Sequence, residues 1–128
     1  VQKFGWDGML SRPIRFAGRA VFTPQDGCLH FRESGVIGFG DYRGDATQAY
    51  QFRPHGPAAD VFFEDGRLFH KVDLATGRAA VRHLCPPDLY EGRYRVLTPD
   101  TWTVTWRITG PRKRQVIGSR FTRSSYSL

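Results

Sequence analysis

Between Thr101 and Thr109 apolar and polar residues alternate along the chain. Trp102, Val104, Trp106 and Ile108 fall on one side, and Thr101, Thr103, Thr105, Arg107 and Thr109 on the other. A two-residue period in β-branched and aromatic side chains predicts a strand with one face in a core and one in solvent. Shorter segments have a similar composition: Arg15 to Thr23, Cys28 to Glu33, Gln48 to Arg53, Ala58 to Glu64, Leu68 to Val72, Ala80 to Cys85, Tyr90 to Leu97 and Val116 to Arg123. The run Val61-Phe62-Phe63 is too short for a helix. No window has a helical period, so the only helix expected is a turn or two near Asp7 to Leu10 or at Pro87 to Tyr90.

Turn signals separate these segments. Thr23-Pro24-Gln25-Asp26-Gly27 combines a fixed proline φ with a glycine able to take a positive one. Glu64-Asp65-Gly66-Arg67 reads as a tight hairpin, since Asp-Gly suits the type I′ geometry. Ala75-Thr76-Gly77 and Thr98-Pro99-Asp100 are further turns. About eight to ten short strands with regular turns predict an all-β, antiparallel domain, a barrel or alternatively a β-sandwich. A barrel of about eight strands can hold one small ligand or fill itself with side chains. Residues 35–47, rich in glycine, lack the Lys-Ser/Thr pair and following helix of a phosphate loop and read as a flexible strand edge or loop.

Composition narrows the class. The chain has 128 residues, 40% hydrophobic and 24% charged, the size and balance of one globular domain spanning 1–128. No apolar run approaches the roughly 20 residues of a membrane span. The start has no signal-peptide pattern. With two cysteines, Cys28 and Cys85, the expectation is a reduced, cytoplasmic protein, monomer or homodimer, whose first strand is incomplete at the N-terminus.

The net charge is +7, and such a balance raises nucleic acid as a partner. The basic residues are spread along the whole chain, and the aromatic residues interleaved with arginine between Tyr90 and Arg95 alternate as core positions. Nucleic acid therefore ranks below a small-molecule ligand.

Several strings carry a family resemblance: Phe16-Ala17-Gly18-Arg19-Ala20-Val21-Phe22, the run from Phe62 to His70, His83-Leu84-Cys85-Pro86-Pro87-Asp88-Leu89-Tyr90, the run from Trp102 to Lys113, and Ser119 to Arg123. Together they resemble an uncharacterised bacterial and fungal family that carries only a domain-of-unknown-function label. That family looks calycin-like, of the lipocalin and fatty-acid-binding type. The resemblance implies a barrel with a pocket and no particular chemistry. Calycins open with Gly-x-Trp and close with a basic residue over that Trp. Arg120 or Arg123 fits the second part, whereas Phe4-Gly5-Trp6 lacks the intervening residue.

The candidate chemistry lies in His70, His83, Cys85, Asp88, Tyr90 and Tyr94. His83 and Cys85 are two apart and share a strand face, and His70 ends a neighbouring hairpin strand. A histidine fixed by Asp88 would be a general base, with Tyr90 or Tyr94 as proton donor. The catalytic candidates are thus His70, His83, Asp88 and Tyr90. Any such enzyme would be an isomerase, cyclase or hydrolase without a cofactor, because no dinucleotide fingerprint is present. As in lipocalin-like barrels, Tyr94 and Trp106 would line a pocket beside Cys85, with Arg107 or Arg120 meeting an acidic group of a small apolar or acidic organic ligand. The competing readings are half-buried side chains that only satisfy internal hydrogen bonds, and a haem or metal site using His70 or His83.

Overall fold

The computed structural model describes residues 1–7 and 12–124. They form ten strands: β1 (Gln2–Asp7), β2 (Arg12–Gln25), β3 (Cys28–Phe39), β4 (Tyr42–His55), β5 (Ala58–Phe63), β6 (Leu68–Asp73), β7 (Arg78–Cys85), β8 (Asp88–Thr98), β9 (Thr101–Gly110) and β10 (Lys113–Thr122). Each strand pairs antiparallel with its neighbours in one sheet, in the order β6-β5-β4-β3-β2-β1-β10-β9-β8-β7. The β1–β10 ladder, from Gln2↔Arg120 to Asp7↔Gln115, bends the meander into a nearly closed barrel. At the remaining junction β6 and β7 lie side by side with no ladder between them. The fold is therefore the antiparallel barrel, and closure hides most of the edges that an open sheet would expose. No helix among the described residues is long and apolar enough to cross a membrane.

The alternation read from Thr101 to Thr109 sets the inside and outside of β9. Val104 and Ile108 are buried, Trp102 and Trp106 pack on the core, and Thr105 and Arg107 are exposed. The core centres on Phe31, 2% exposed, which meets Phe52, Phe121 and Phe22 edge-on or tilted and stacks on Tyr50. Val61, Val72, Val81 and Val104 fill the space between rings.

Three local expectations are corrected. Residues 35–47, expected as a flexible strand edge or a loop, are strand on both sides of a turn: they are the paired ends of β3 and β4, joined at Gly40–Asp41, where Gly40 takes a φ of 59°. Pro87 to Tyr90 is not helical. Pro86–Pro87 makes a hairpin turn, and the backbone on either side is held in the ladder Cys85↔Asp88 and His83↔Tyr90. Of the other expected helix, Asp7 ends β1, while residues 8–10 lie outside the described residues. The two-residue turn with both φ values positive is Asp26–Gly27, at 51° and 77°. At Glu64 to Arg67 only Gly66 is left-handed, and Asp65 instead accepts the Arg67 backbone N–H at 3.0 Å.

β2 and β3 approach most closely where Gly18 faces Gly35. A Cβ on Gly18 would lie 2.7 Å from the Gly35 Cα, and one on Gly35 would lie 2.8 Å from the Phe16 ring. Both glycines therefore keep the wall closed and leave room for Phe16 (strand glycines often mark such approaches). Gly18→Val should cost about 3 kcal/mol, the upper end for overpacking, because the obstruction is backbone that cannot rotate away. Urea denaturation beside the parent protein checks this; a loss under about 1 kcal/mol would mean that the strands separate easily.

Candidate functional site

The barrel interior contains a partly open cavity of about 120 Å³. Most of its wall is aromatic: Phe31, Tyr50, Phe69, Trp102, Trp106 and Phe121 line it, joined by Val61, Val104, Ile108 and Ile117. For scale, an apolar cavity of about 150 Å³ accepts benzene, and drug-sized ligands use roughly 300–1,000 Å³. The space suits a single small ring.

Besides the hydroxyls of Ser119 and Tyr90, polar side chains interrupt this wall as three pairs. Lys3 on β1 reaches Glu33 on β3, with Nζ 2.6 Å from Oε2. Glu33 is 4% exposed, so its charge depends on Lys3 for compensation. On β4 the Gln48 amide donates to the Tyr50 hydroxyl. On the opposite side, the Tyr94 hydroxyl lies 3.0 Å from His70 Nε2.

His70 faces inward in step with Val72, and a β-bulge beside it brings a second ring inward. The β5–β6 register pairs Val61 with His70 but Phe62 with Leu68, so Phe69 is an extra residue on β6. Phe69 and His70 are adjacent in sequence and both buried, which plain alternation forbids. Bulges re-aim side chains in this way. Phe69 stacks on Trp106 and Phe63, with centroids 5.0 Å and 4.6 Å apart, and His70 settles beside Trp106 and Tyr94. Gly92 completes this corner: a Cβ there would come within 2.6 Å of the Trp106 ring, so the indole lies flat over the bare backbone of β8.

Burial pushes the His70 pKa down to about 4; the Lys71 backbone opposes this, and the nearby His83 adds a smaller downward push. His70 Nδ1 is buried without a well-formed hydrogen bond. Burial raises the Tyr94 hydroxyl well above the usual phenol range, aided by Tyr50; burial and then Glu33 do the same for Tyr50. Near neutral pH the pair is a neutral imidazole against a neutral phenol.

The unfolded chain, in which histidine titrates near 6.5, takes up the proton first. Stability tied to His70 is thus complete above about pH 6.5 and is lost as pH falls from about 6.5 to about 4. The expected loss across that window is roughly 3 kcal/mol more than in His70→Gln. Urea midpoints at pH 7, 5.5 and 4.5 for both proteins test this; parallel profiles would show that His70 is readily protonated in the fold.

The structure brings some of the sequence candidates together and separates others. His70, Tyr90, Tyr94 and Trp106 line the cavity. His83 stands behind Phe69 and Phe63, meeting their rings edge-on at 5.2 Å and 5.5 Å. Asp88 is not its partner: the Asp88 carboxylate lies 3.6 Å from Lys113 Nζ, and in the ladder His83 faces Tyr90. Cys85 is exposed beside the Pro86–Pro87 turn, and Arg107 and Arg120 are exposed on the barrel exterior. Neither basic residue proposed to cover Trp6 does so. Arg120 pairs with Gln2, Arg123 Nε binds Asp100 Oδ1 at 3.1 Å, and Trp6 is 49% exposed. Among the described residues no three of His, Cys, Asp or Glu gather closely enough to hold a metal ion.

Lys3, Glu33, Gln48, Tyr50 and Ser119 were not among the sequence candidates. Glu33 carried one signal, an acidic residue two positions from Phe31 and so on the same strand face. Lys3 carried none until β1 was known to lie between β2 and β10.

A nearly closed ten-stranded barrel with an aromatic interior crossed by a few paired polar groups defines the structural class. Residues 7–123 match a family of unknown function, DUF6314, and the chain belongs to that family. Comparison with curated proteins and with solved structures finds no match.

Proposed function

We propose that this protein binds a small, uncharged, planar organic molecule inside the barrel. The observation that carries this reading is the cavity of about 120 Å³, walled by aromatic rings and met by the His70–Tyr94 pair. Ligand pockets combine a mainly apolar wall with a few placed polar groups that fix orientation. The charges on this wall are already matched, Lys3 with Glu33, so an ionised ligand would bring an unpaired charge into a site of low polarity. Arg107 and Arg120 lie outside, which removes the support for an acidic ligand. The meander order agrees with the calycin-like resemblance, while the exposed Trp6 does not.

Phenol is a suitable probe, with benzoate as its charged counterpart. A phenol Kd of about 1 mM corresponds to about −4 kcal/mol, well within the ceiling for a ligand of seven non-hydrogen atoms. Trp102 and Trp106 in the wall would report binding by fluorescence. Phenol should bind, benzoate should bind at least tenfold more weakly, and Val104→Phe should remove phenol binding by filling the cavity. Absence of phenol binding, or binding unaffected by Val104→Phe, would overturn the proposal.

An acid–base enzyme is a second reading, and its support is the His70–Tyr94 contact. A neutral imidazole touching a neutral phenol can pass a proton between two positions of a bound molecule. In that case His70→Ala removes turnover and leaves ligand binding measurable.

A further inference from the structure

The exterior of β1 carries two large aromatic side chains that the core does not use. Phe4 is 63% exposed and Trp6 49%. They are two residues apart on one strand face, about 7 Å by strand rise. In the ladders Phe4 stands between Arg15 of β2 and Gly118 of β10, and Trp6 between Pro13 and Val116. One strand further on, Val116 pairs with Arg107, and at the other end of the row Gln2 pairs with Arg120. Arg15, Arg107 and Arg120 are exposed, and none forms an ion pair with a described residue. Two acidic residues share this face: Asp45 on β4, beyond β3, and Glu91 on β8, which stands opposite Arg107 in the ladder without forming an ion pair with it.

From this arrangement we infer that the outer face of β2, β1, β10 and β9 binds single-stranded nucleic acid. Successive bases stack on Phe4 and Trp6, and the phosphates lie against Arg15 on one side and Arg107 and Arg120 on the other. Single-strand binders combine a basic track with aromatic platforms in this way. The chain's charge of +7 matches a polyanion. The aromatic residues that argued against such binding, Tyr90 and Tyr94, do face inward, but Phe4 and Trp6 do not. A lipid surface fits less well. The two rings lie within the sheet face, with arginines on the flanking strands, and do not project from a loop that could enter a bilayer. Bare backbone at Gly118 beside Phe4 leaves space for a base to lie flat. This inference is independent of the interior cavity, whose ligand could be absent without affecting it.

The test is fluorescence anisotropy of a labelled twelve-nucleotide oligo(dT) with the 128-residue chain, from 50 to 300 mM KCl. Binding should weaken steeply with salt. Phe4→Ala/Trp6→Ala should bind at least fivefold more weakly with an unchanged salt slope. Arg15→Gln/Arg107→Gln/Arg120→Gln should reduce the slope by about two, since each phosphate contact on a single strand contributes roughly 0.7. All five positions are exposed, and circular dichroism checks that both variants keep the fold. Three results would each overturn the inference: no binding at 50 mM KCl, binding that ignores the loss of both rings, or ring-dependent binding to phosphatidylserine vesicles without binding to the oligonucleotide.

Discussion

Phe31→Ala is expected to lower stability by about 3–5 kcal/mol, the range for removing a fully enclosed aromatic side chain. In a domain of 128 residues that moves the thermal midpoint down by roughly 10–20 °C. The reason is position as much as size. Phe31 touches rings from β2, β4 and β10 at once: Phe22, Tyr50, Phe52 and Phe121. Its loss leaves a void beside the existing cavity, and the strands cannot close in because their ladders fix the spacing. Leu84→Ala is the matched control, since Leu84 is 64% exposed and should change stability by less than about 0.5 kcal/mol. Urea denaturation of both variants decides the matter. Equal small effects would mean that the interior is loosely packed and that the cavity merges with the core.

The second large effect comes from charge. Lys3→Met should cost about 3 kcal/mol, because it strands the Glu33 carboxylate in the barrel wall without its cation. Lys3 keeps partial contact with solvent, with 19% of its side chain exposed, which places the cost at the lower end for a broken buried pair. Lys3→Met/Glu33→Leu removes both charges and should return to within about 1 kcal/mol of the parent, since a buried pair replaced by apolar groups is often neutral. A double variant as unstable as the single one would show that Glu33 is held by something other than its charge partner. A neutral single variant would show that water already solvates Glu33.

The barrel was legible in the sequence because alternation and turn residues act locally. Trp102, Val104, Trp106 and Ile108 face inward as their spacing requires, and the expected range of eight to ten strands includes the ten observed. The errors fall where a local signal is ambiguous. A glycine-rich segment reads as a loop, yet the residues around Gly35, Gly38 and Gly44 are strands, with glycine serving the close approach of β2 to β3 and the space for the Tyr42 ring. Asp65-Gly66 and Asp26-Gly27 are the same dipeptide, and the flanking residues decide which becomes the two-residue turn.

The site was half legible. Tyr94 and Trp106 follow from parity. His70 shares the parity of Val72 and faces inward with it, whereas Phe69 does so only through the bulge, which shifts parity without a mark in the residue pattern. Asp88 was expected to fix a histidine, but a hairpin places it opposite Cys85, and its carboxylate turns to Lys113. The Lys3–Glu33 pair joins β1 to β3 across an intervening strand. No window of sequence contains that contact, which exists only because the sheet curls.

That curl stops short at one place. Along the junction of β6 and β7 the wall is held by side chains, with Phe69, His70 and Val72 on one side and Val81 on the other, and not by backbone bonds. Mechanically the protein is a rolled sheet with a slit along its length. A tube sealed by hydrogen bonds has its girth set by strand number and stagger, whereas a slit roll can widen by parting one row of contacts while all nine ladders stay intact. The 120 Å³ of the interior is therefore the volume with that slit shut.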